Sequence, residues 1–231
     1  SVRGSRVLLA VGVANDTRET GEARGSVDYR VAQTSIGASN EGGLSCTVGG
    51  SQGADSSTGE LAPPGSFYLP LACGSEVVVG QGNNNPFSHH DELRFAFDLL
   101  VPADTEVLAM ADGVVTHVKN DIRPGDPCHD GGDEACRPSA NYVVLRHGDA
   151  TSTLYKHLND ALVAPGARLR RGDLLGRSGT TGWSTTPHVH VMRMDPCPEP
   201  ECPSIALAFA DVPGDGVPIT GQHVTAMNCP D

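Results

Sequence analysis

The chain has 231 residues, of which 38% are hydrophobic and only 4% aromatic, with 28 glycines and 17 prolines. This composition is typical of a fold made of short strands and many turns, and the length suits one domain or slightly more. The formal net charge of -12 and the lack of a basic stripe exclude an ordinary nucleic-acid binder. No apolar run reaches the roughly 18 residues of a membrane-spanning helix, so we expect no membrane span.

The first 75 residues differ in pattern from the rest of the chain. The segments RVLLAVGVA and GSVDYRVAQTSIGA predict strands, and SQGADSSTGELAPPG has the composition of a loop. No cluster of titratable side chains in this region suggests chemistry. We therefore expect a smaller accessory β unit over residues 1–75 and a second domain over residues 76–231.

The region after residue 76 has the pattern of an antiparallel β-sheet. Apolar segments on both sides of Asp112-Gly113 predict one hairpin, and those around the turn at Gly148-Asp149 predict another. The segment PHVHVMRM alternates polar and apolar residues with a period of two, as a strand does. Because no segment has a convincing amphipathic helical pattern, we expect a mostly β fold.

Seven cysteines are many for a cytosolic protein of this size. Two close pairs, Cys128/Cys136 and Cys197/Cys202, lie in loops rich in proline and acidic residues. Disulfides formed in an oxidising compartment explain them best, which predicts a secreted or periplasmic protein. Because the count is odd, at least one thiol is free or pairs outside this chain. The alternative is a four-cysteine zinc site, but neither pair has the tight spacing of a zinc knuckle.

The second half of the chain contains a long loop, DIRPGDPCHDGGDEACRPSA. Loops of this length are usually functional or tied down. Its acidic residues make calcium binding an alternative to a solvated loop that is held by a disulfide: Asp126, Asp130, Asp133 and Glu134.

His188 and His190 lie two residues apart on a predicted strand, so both imidazoles point to the same face of the sheet. Asp98 interrupts the apolar strand LRFAFDLLVP, where a carboxylate is costly to bury unless it is paired or binds a metal. A histidine from the loop before this strand would complete a set of three nitrogen and oxygen ligands. Such a set leaves a fourth position open on zinc, as catalytic zinc sites do.

The order of these motifs resembles the lysostaphin/LytM-type zinc metallopeptidases, β-sheet enzymes that cut peptide bonds in bacterial peptidoglycan. The resemblance covers about residues 81–194, and it includes FSHHDELRFAFDLLVPADTEV, LYKHLND and PHVHVMRM. It implies a groove over the sheet and a bound Zn2+. It also implies metal ligands His89, Asp98 and His190 and catalytic histidines His157 and His188. His90 is the alternative to His89, because the insertion before Asp98 is longer than the family's common spacing.

The resemblance implies a zinc-dependent metalloendopeptidase that hydrolyses peptide bonds in cell-wall peptidoglycan, with peptidoglycan peptides as its partners. Two alternatives stay open: a non-catalytic module of the same fold that binds or activates another protein, and a peptidase for protein substrates. No H-E-x-x-H motif is present, so a glutamate base on a helix is excluded. Trp183 is expected to line the cleft or to pack, and four histidines are expected to be ordinary polar residues: His117, His129, His147 and His223.

Overall fold

The structure, a computed structural model, describes residues 36–38, 44–46 and 66–229. Contacts divide the chain into two units, Ser1–Ser57 and Thr58–Asp231. In the first unit β1 (Ile36–Ala38) and β2 (Leu44–Cys46) form an antiparallel pair. Most of the predicted accessory unit lies outside the described residues, so its extent over residues 1–75 stays a prediction.

The second unit is built almost entirely of antiparallel strands, which confirms the predicted fold class. Its strands are β3 (Glu76–Gln81), β4 (Phe97–Leu100), β5 (Glu106–Leu108), β6 (Gly113–Lys119), β7 (Tyr142–Arg146), β8 (Ser152–Lys156), β9 (Leu158–Ala161), β10 (Arg168–Leu169), β11 (Leu174–Ser178), β12 (His188–Met194), β13 (Ser204–Ile205) and β14 (His223–Thr225). Two short 3-10 helices, Asp91–Leu93 and Glu134–Ser139, complete it.

Nine strands form one sheet in the order β10-β6-β7-β8-β12-β4-β3-β14, with β13 paired to the end of β12. The strands β5, β11 and β9 form a separate three-stranded sheet. Strand β12 therefore lies in the middle of the large sheet, hydrogen-bonded to β8 on one side and β4 on the other. This central position explains why β12 is buried on both faces although it carries histidines.

The predicted hairpin at Gly148-Asp149 is confirmed, because β7 and β8 pair directly across this turn. The predicted hairpin at Asp112-Gly113 is wrong, since β5 pairs with β11 while β6 pairs with β7 and β10. Gly113 does not have the positive φ of a hairpin turn. It instead allows close approach of β7, because a Cβ there would lie 2.9 Å from the carbonyl oxygen of Arg146.

The main hydrophobic core packs on the face of the sheet opposite the histidines of β12. Val189 and Val191 enter this core from β12, and Phe97 and Leu99 enter it from β4. A smaller cluster on the other face contains Met192 and other buried side chains. The face of β12 that carries His188 and His190 therefore continues, toward the end of the strand, into a buried apolar cluster that contains Met192.

Three disulfides tie the loops of the second unit. Cys128–Cys136 and Cys197–Cys202 each close one of the loops in which a pair was expected, and Cys73–Cys229 joins the two ends of the unit. The cysteine pairs are therefore disulfides and not a shared zinc site. Within the described ranges, no helix is long and apolar enough to span a membrane.

Tyr155 connects the two sheets through one buried hydrogen bond. Its side chain is fully buried, and its hydroxyl oxygen accepts a hydrogen bond from the backbone N–H of Met110 at 2.8 Å. Burial raises the pKa of Tyr155 to about 12, so the hydroxyl stays neutral. Met110 lies two residues after the end of β5, so this bond joins the large sheet to the chain that leaves the small one.

We expect Tyr155→Phe to lower the free energy of unfolding by about 1–3 kcal/mol, because it leaves the Met110 N–H buried without an acceptor. Urea denaturation at constant pH measures the change. Tyr142→Phe is the control, because the Tyr142 ring is only partly buried. Equal midpoints for Tyr155→Phe and the parent would show that the bond does not stabilise the fold.

Candidate functional site

The two histidines of β12 lie on one face of the sheet, as the period-two pattern predicted. His190 is the cross-strand partner of Asp98 on β4 and of Lys156 on β8, while His188 is the partner of Leu100. Directly paired residues project to the same side of an antiparallel sheet. The pairing of β4 with β12 therefore brings together Asp98 and His190, which are far apart in the sequence.

His89, Asp98 and His190 form a buried cluster that can hold a metal ion. The Oδ1 atom of Asp98 lies 2.9 Å from Nδ1 of His190 and 3.2 Å from Nε2 of His89. These separations suit neighbouring ligands of zinc, whose bonds to nitrogen and oxygen are about 2.0–2.2 Å long. The Nε2 atom of His89 is buried without a hydrogen-bond partner, so its lone pair is available to a metal.

Asp98 is ionised although it is only 5% exposed. Burial alone would raise its pKa, but hydrogen bonding to His190 and the other surrounding histidines hold the pKa of Asp98 well below its usual range. The second carboxylate oxygen, Oδ2, accepts a hydrogen bond from Nε2 of Gln81 at 2.6 Å. Gln81 thus orients the carboxylate and leaves Oδ1 directed at the two histidines.

The loop before β4 presents His89 and not His90 to this cluster. His89 is fully buried, and its Nδ1 donates to the carbonyl oxygen of Gly82 at 3.2 Å. His90 is exposed, and its ring contacts the neighbouring carboxylate of Asp91. The geometry therefore favours the first of the two histidines as a ligand.

His157 and His188 lie side by side next to the cluster, with ring centroids 4.6 Å apart. Nδ1 of His157 is 2.7 Å from the carbonyl oxygen of Thr181, and Nδ1 of His188 is 2.8 Å from that of Thr186. A carbonyl oxygen can only accept, so each neutral ring must carry its proton on Nδ1. This tautomer leaves Nε2 unprotonated in both rings.

His157 connects β8 to β9 with a positive φ of 66°, which is uncommon outside glycine. Such a backbone persists only where the surrounding structure holds it, and it is often found at functional sites. Burial, together with the nearby histidines, holds the pKa of His157 well below its ordinary value. The ring is therefore neutral at neutral pH.

A cleft of about 410 Å³ opens over this face of the sheet. It is lined by residues of the cluster and by both neighbouring histidines: Asp98, His157, His188 and His190. Phe87 and Trp183 lie at its rim with ring centroids 6.0 Å apart, and the guanidinium of Arg137 stacks 4.8 Å from the Trp183 ring. Trp183 therefore lines the cleft as well as packing against its neighbours.

The acidic loop between β6 and β7 supports one wall of this cleft. The backbone N–H of Gly182 donates to the carbonyl oxygen of Cys128, and Gly132 N–H donates to that of Ser184. Its acidic side chains are exposed, and none belongs to a metal-ligating cluster of the described residues: Asp126, Asp130, Asp133 and Glu134. The loop thus contacts the segment that carries Trp183, and nothing in these side chains favours calcium.

The four histidines expected to be ordinary polar residues all lie outside the cluster. His147 is buried, with hydrogen bonds to the carbonyl oxygen of Asp112 and the hydroxyl of Thr153. The other three are partly or fully exposed: His117, His129 and His223.

Residue patterns alone missed several residues that shape the site. Gln81 orients Asp98 from β3, and Thr181 positions His157 through its carbonyl oxygen. Lys156 and Glu201 form an ion pair that lines the cleft. Lys156 could have been noticed, since it directly precedes His157, but its partner depends on how the loop after β12 folds back.

Residues 93–196 match the model of peptidase family M23. This match confirms the resemblance stated from the sequence. Peptidoglycan DD-endopeptidase ShyA of Vibrio cholerae is 37% identical over 93 residues, which are 40% of this chain and 18% of that protein. DD-carboxypeptidase/endopeptidase Mpg of Neisseria meningitidis is 35% identical over 106 residues, which are 46% of this chain and 21% of that protein.

A solved structure of a zinc-containing peptidase from Vibrio cholerae is also similar, at 25% identity with a TM-score of 0.42. The alignment covers 56% of this chain and 37% of that one. The chain thus spans only about a fifth of the two curated relatives and about a third of this structure.

We expect the neutral rings of His157 and His188 to carry their protons on Nδ1. Long-range nitrogen–proton NMR correlations distinguish the two tautomers directly, with exposed His90 as an internal reference. Thr181 and Thr186 accept through backbone carbonyls, so substitutions of their side chains cannot remove the acceptors. Protonation on Nε2 in either neutral ring would contradict the proposed orientation of the lone pairs.

Proposed function

Because residues 93–196 match the model of peptidase family M23, we propose that this protein is a zinc-dependent metalloendopeptidase that hydrolyses peptide bonds in bacterial cell-wall peptidoglycan. The observation that carries the proposal is the convergence of His89, Asp98 and His190 beside two further imidazoles at the bottom of one cleft. We assign the first three residues as metal ligands, and His157 and His188 as catalytic residues.

The donor set suits zinc, with two imidazoles and one carboxylate leaving a position open. Zinc held there supplies a Lewis acid that polarises the scissile carbonyl and lowers the pKa of water. Gln81 keeps Asp98 oriented, and the carbonyl oxygen of Gly82 sets the ring of His89. Such outer contacts orient ligands and fix which ring nitrogen is free.

His157 and His188 supply the proton transfers. Their Nδ1 protons are held by backbone carbonyls, so each presents Nε2 as the reactive atom. One ring accepts a proton from the attacking water and passes it to the leaving amine as the peptide C–N bond breaks. The other ring, when protonated, donates a hydrogen bond to the oxyanion that forms on the substrate. Both roles need an imidazole beside the metal ligands, and the pair lies there.

Peptidoglycan is proposed as the substrate because two curated relatives are named for endopeptidase activity, one of them on peptidoglycan. The three disulfides support a secreted or periplasmic location, where the cell wall is accessible. A non-catalytic binding module has no use for a complete ligand set with two adjacent catalytic histidines. A protein substrate is the remaining alternative, and the experiment below separates it.

Zinc content and release of peptides from purified cell walls test the assignment together. We expect one zinc per chain in the parent protein, loss of zinc in Asp98→Ala and His89→Ala, and retained zinc in His157→Ala. His157→Ala should lower the rate of muropeptide cleavage by about 100-fold or more, because general acid–base catalysis contributes about 10²–10⁴-fold.

His90→Ala is the matched control, because His90 is adjacent to His89 but exposed and outside the cluster. It should keep both zinc and activity. A parent protein that binds no zinc would refute the enzyme proposal. A zinc-loaded parent that cleaves a denatured protein but no muropeptide would refute the substrate and support the protein-substrate alternative.

A further inference from the structure

Lys156 is an unusual residue at the floor of the cleft, because it is a lysine on a central strand with only 9% of its surface exposed. It is the direct cross-strand partner of His190, so its side chain leaves the sheet on the same face as the metal ligands. It also lines the same cleft. A buried ammonium group is costly unless an anion pairs with it.

Glu201 is that anion, with its Oε2 atom 2.7 Å from Nζ of Lys156. It lies on the loop that follows β12 and returns through β13, and the Cys197–Cys202 disulfide closes this loop. The disulfide thus limits where Glu201 can move.

The two partners of this ion pair differ in exposure. The side chain of Lys156 is 11% exposed, whereas that of Glu201 is 41% exposed. Lysine is held by the sheet, while its carboxylate partner is on a loop at the cleft surface. The cation is therefore the fixed member of the pair, and the resident carboxylate is the member that another carboxylate can replace.

We propose that Lys156 forms a carboxylate-binding subsite of the cleft, in which a free carboxylate of the substrate peptide takes the place of Glu201. The proposal rests on the proposed function, whose substrate it narrows to peptides that carry a free carboxylate near the cleaved bond. The exchange keeps Lys156 paired, so the substrate gains a charge-assisted hydrogen bond without leaving a buried cation alone.

A second cation of the cleft, Arg137, favours such an exchange. The chain has a net charge of -12, so its overall field repels carboxylates and any attraction must be local. Arg137 also lines the cleft and interacts electrostatically with Glu201. When a substrate carboxylate pairs with Lys156, the displaced Glu201 therefore still has the cation of Arg137 nearby.

Binding of a small probe tests the subsite without any cleavage. We expect the zinc-loaded protein to bind N-acetylalanine at least about tenfold more tightly than N-acetylalanine amide in NMR titrations, because a hydrogen bond to a charged group is worth about that factor. Lys156→Met should abolish this difference. Glu201→Gln should tighten binding of the acid several-fold, because it removes the competing charge.

Lys119→Met is the matched control, since Lys119 forms an ion pair with Asp121 and does not line the cleft. It should preserve the difference between acid and amide. Asp98→Ala should also preserve it. A difference that survives Lys156→Met but disappears in Asp98→Ala would mean that the carboxylate binds the metal, which overturns the proposal.

Two further outcomes overturn the subsite: acid and amide bind the parent equally, or the acid shows no binding. If Lys156→Met does not fold, Glu201→Gln still tests the proposal. If Glu201→Gln binds the acid with the same affinity as the parent, the two carboxylates do not exchange.

Cleavage then links the subsite to catalysis. We expect kcat/KM to be about tenfold higher for muropeptides with free stem carboxylates than for amidated ones, and nearly equal for the two in Lys156→Met. Lys156-dependent probe binding without muropeptide cleavage would defeat the proposed function and leave the subsite standing. Cleavage without any carboxylate preference would defeat the subsite alone.

Discussion

The contact on which the site depends is the pairing of Asp98 with His190 across the two central strands of the large sheet. A carboxylate at this position is nearly inaccessible to water and is costly to keep ionised without partners. His190, His89 and Gln81 supply those partners from three different segments. The sheet therefore stabilises an anion in its middle, and His89 and His190 form with Asp98 a cluster that can hold a metal ion.

The period of two along β12 made the placement of His188 and His190 predictable, because it needs only local strand geometry. Asp98 was predictable for a related reason, since a carboxylate in an apolar strand requires a partner. The choice of His89 over His90 required the path of the loop, which turns one ring inward and the other to solvent. The local pattern thus predicted the candidate ligands, and the path of the loop favours His89 over His90.

The register in which neighbouring strands pair could not be predicted from the residue pattern. Gln81 and Lys156 belong to the site only because β3 pairs with β4 and β8 pairs with β12 at particular residues. The Asp112-Gly113 segment failed as a hairpin for the same reason, since its flanking strands find partners in different sheets. A turn motif describes local preference, and here the close approach of β7 to Gly113 explains the glycine instead.

The cleft contains two kinds of polar group, which differ in how firmly the fold holds them in place. The imidazoles of His157 and His188 are held by backbone carbonyls, which cannot move without moving the chain, so their reactive nitrogens are preorganised. The ion pair of Lys156 and Glu201 combines a residue on the sheet with a residue on a loop. Proton transfer requires the fixed geometry of the two imidazoles. The proposed binding of a substrate carboxylate at Lys156 requires an ion-pair partner that can be exchanged. The segment between β11 and β12 supplies the first property through the carbonyl oxygens of Thr181 and Thr186, and the disulfide-closed loop after β12 supplies the second within a limited range.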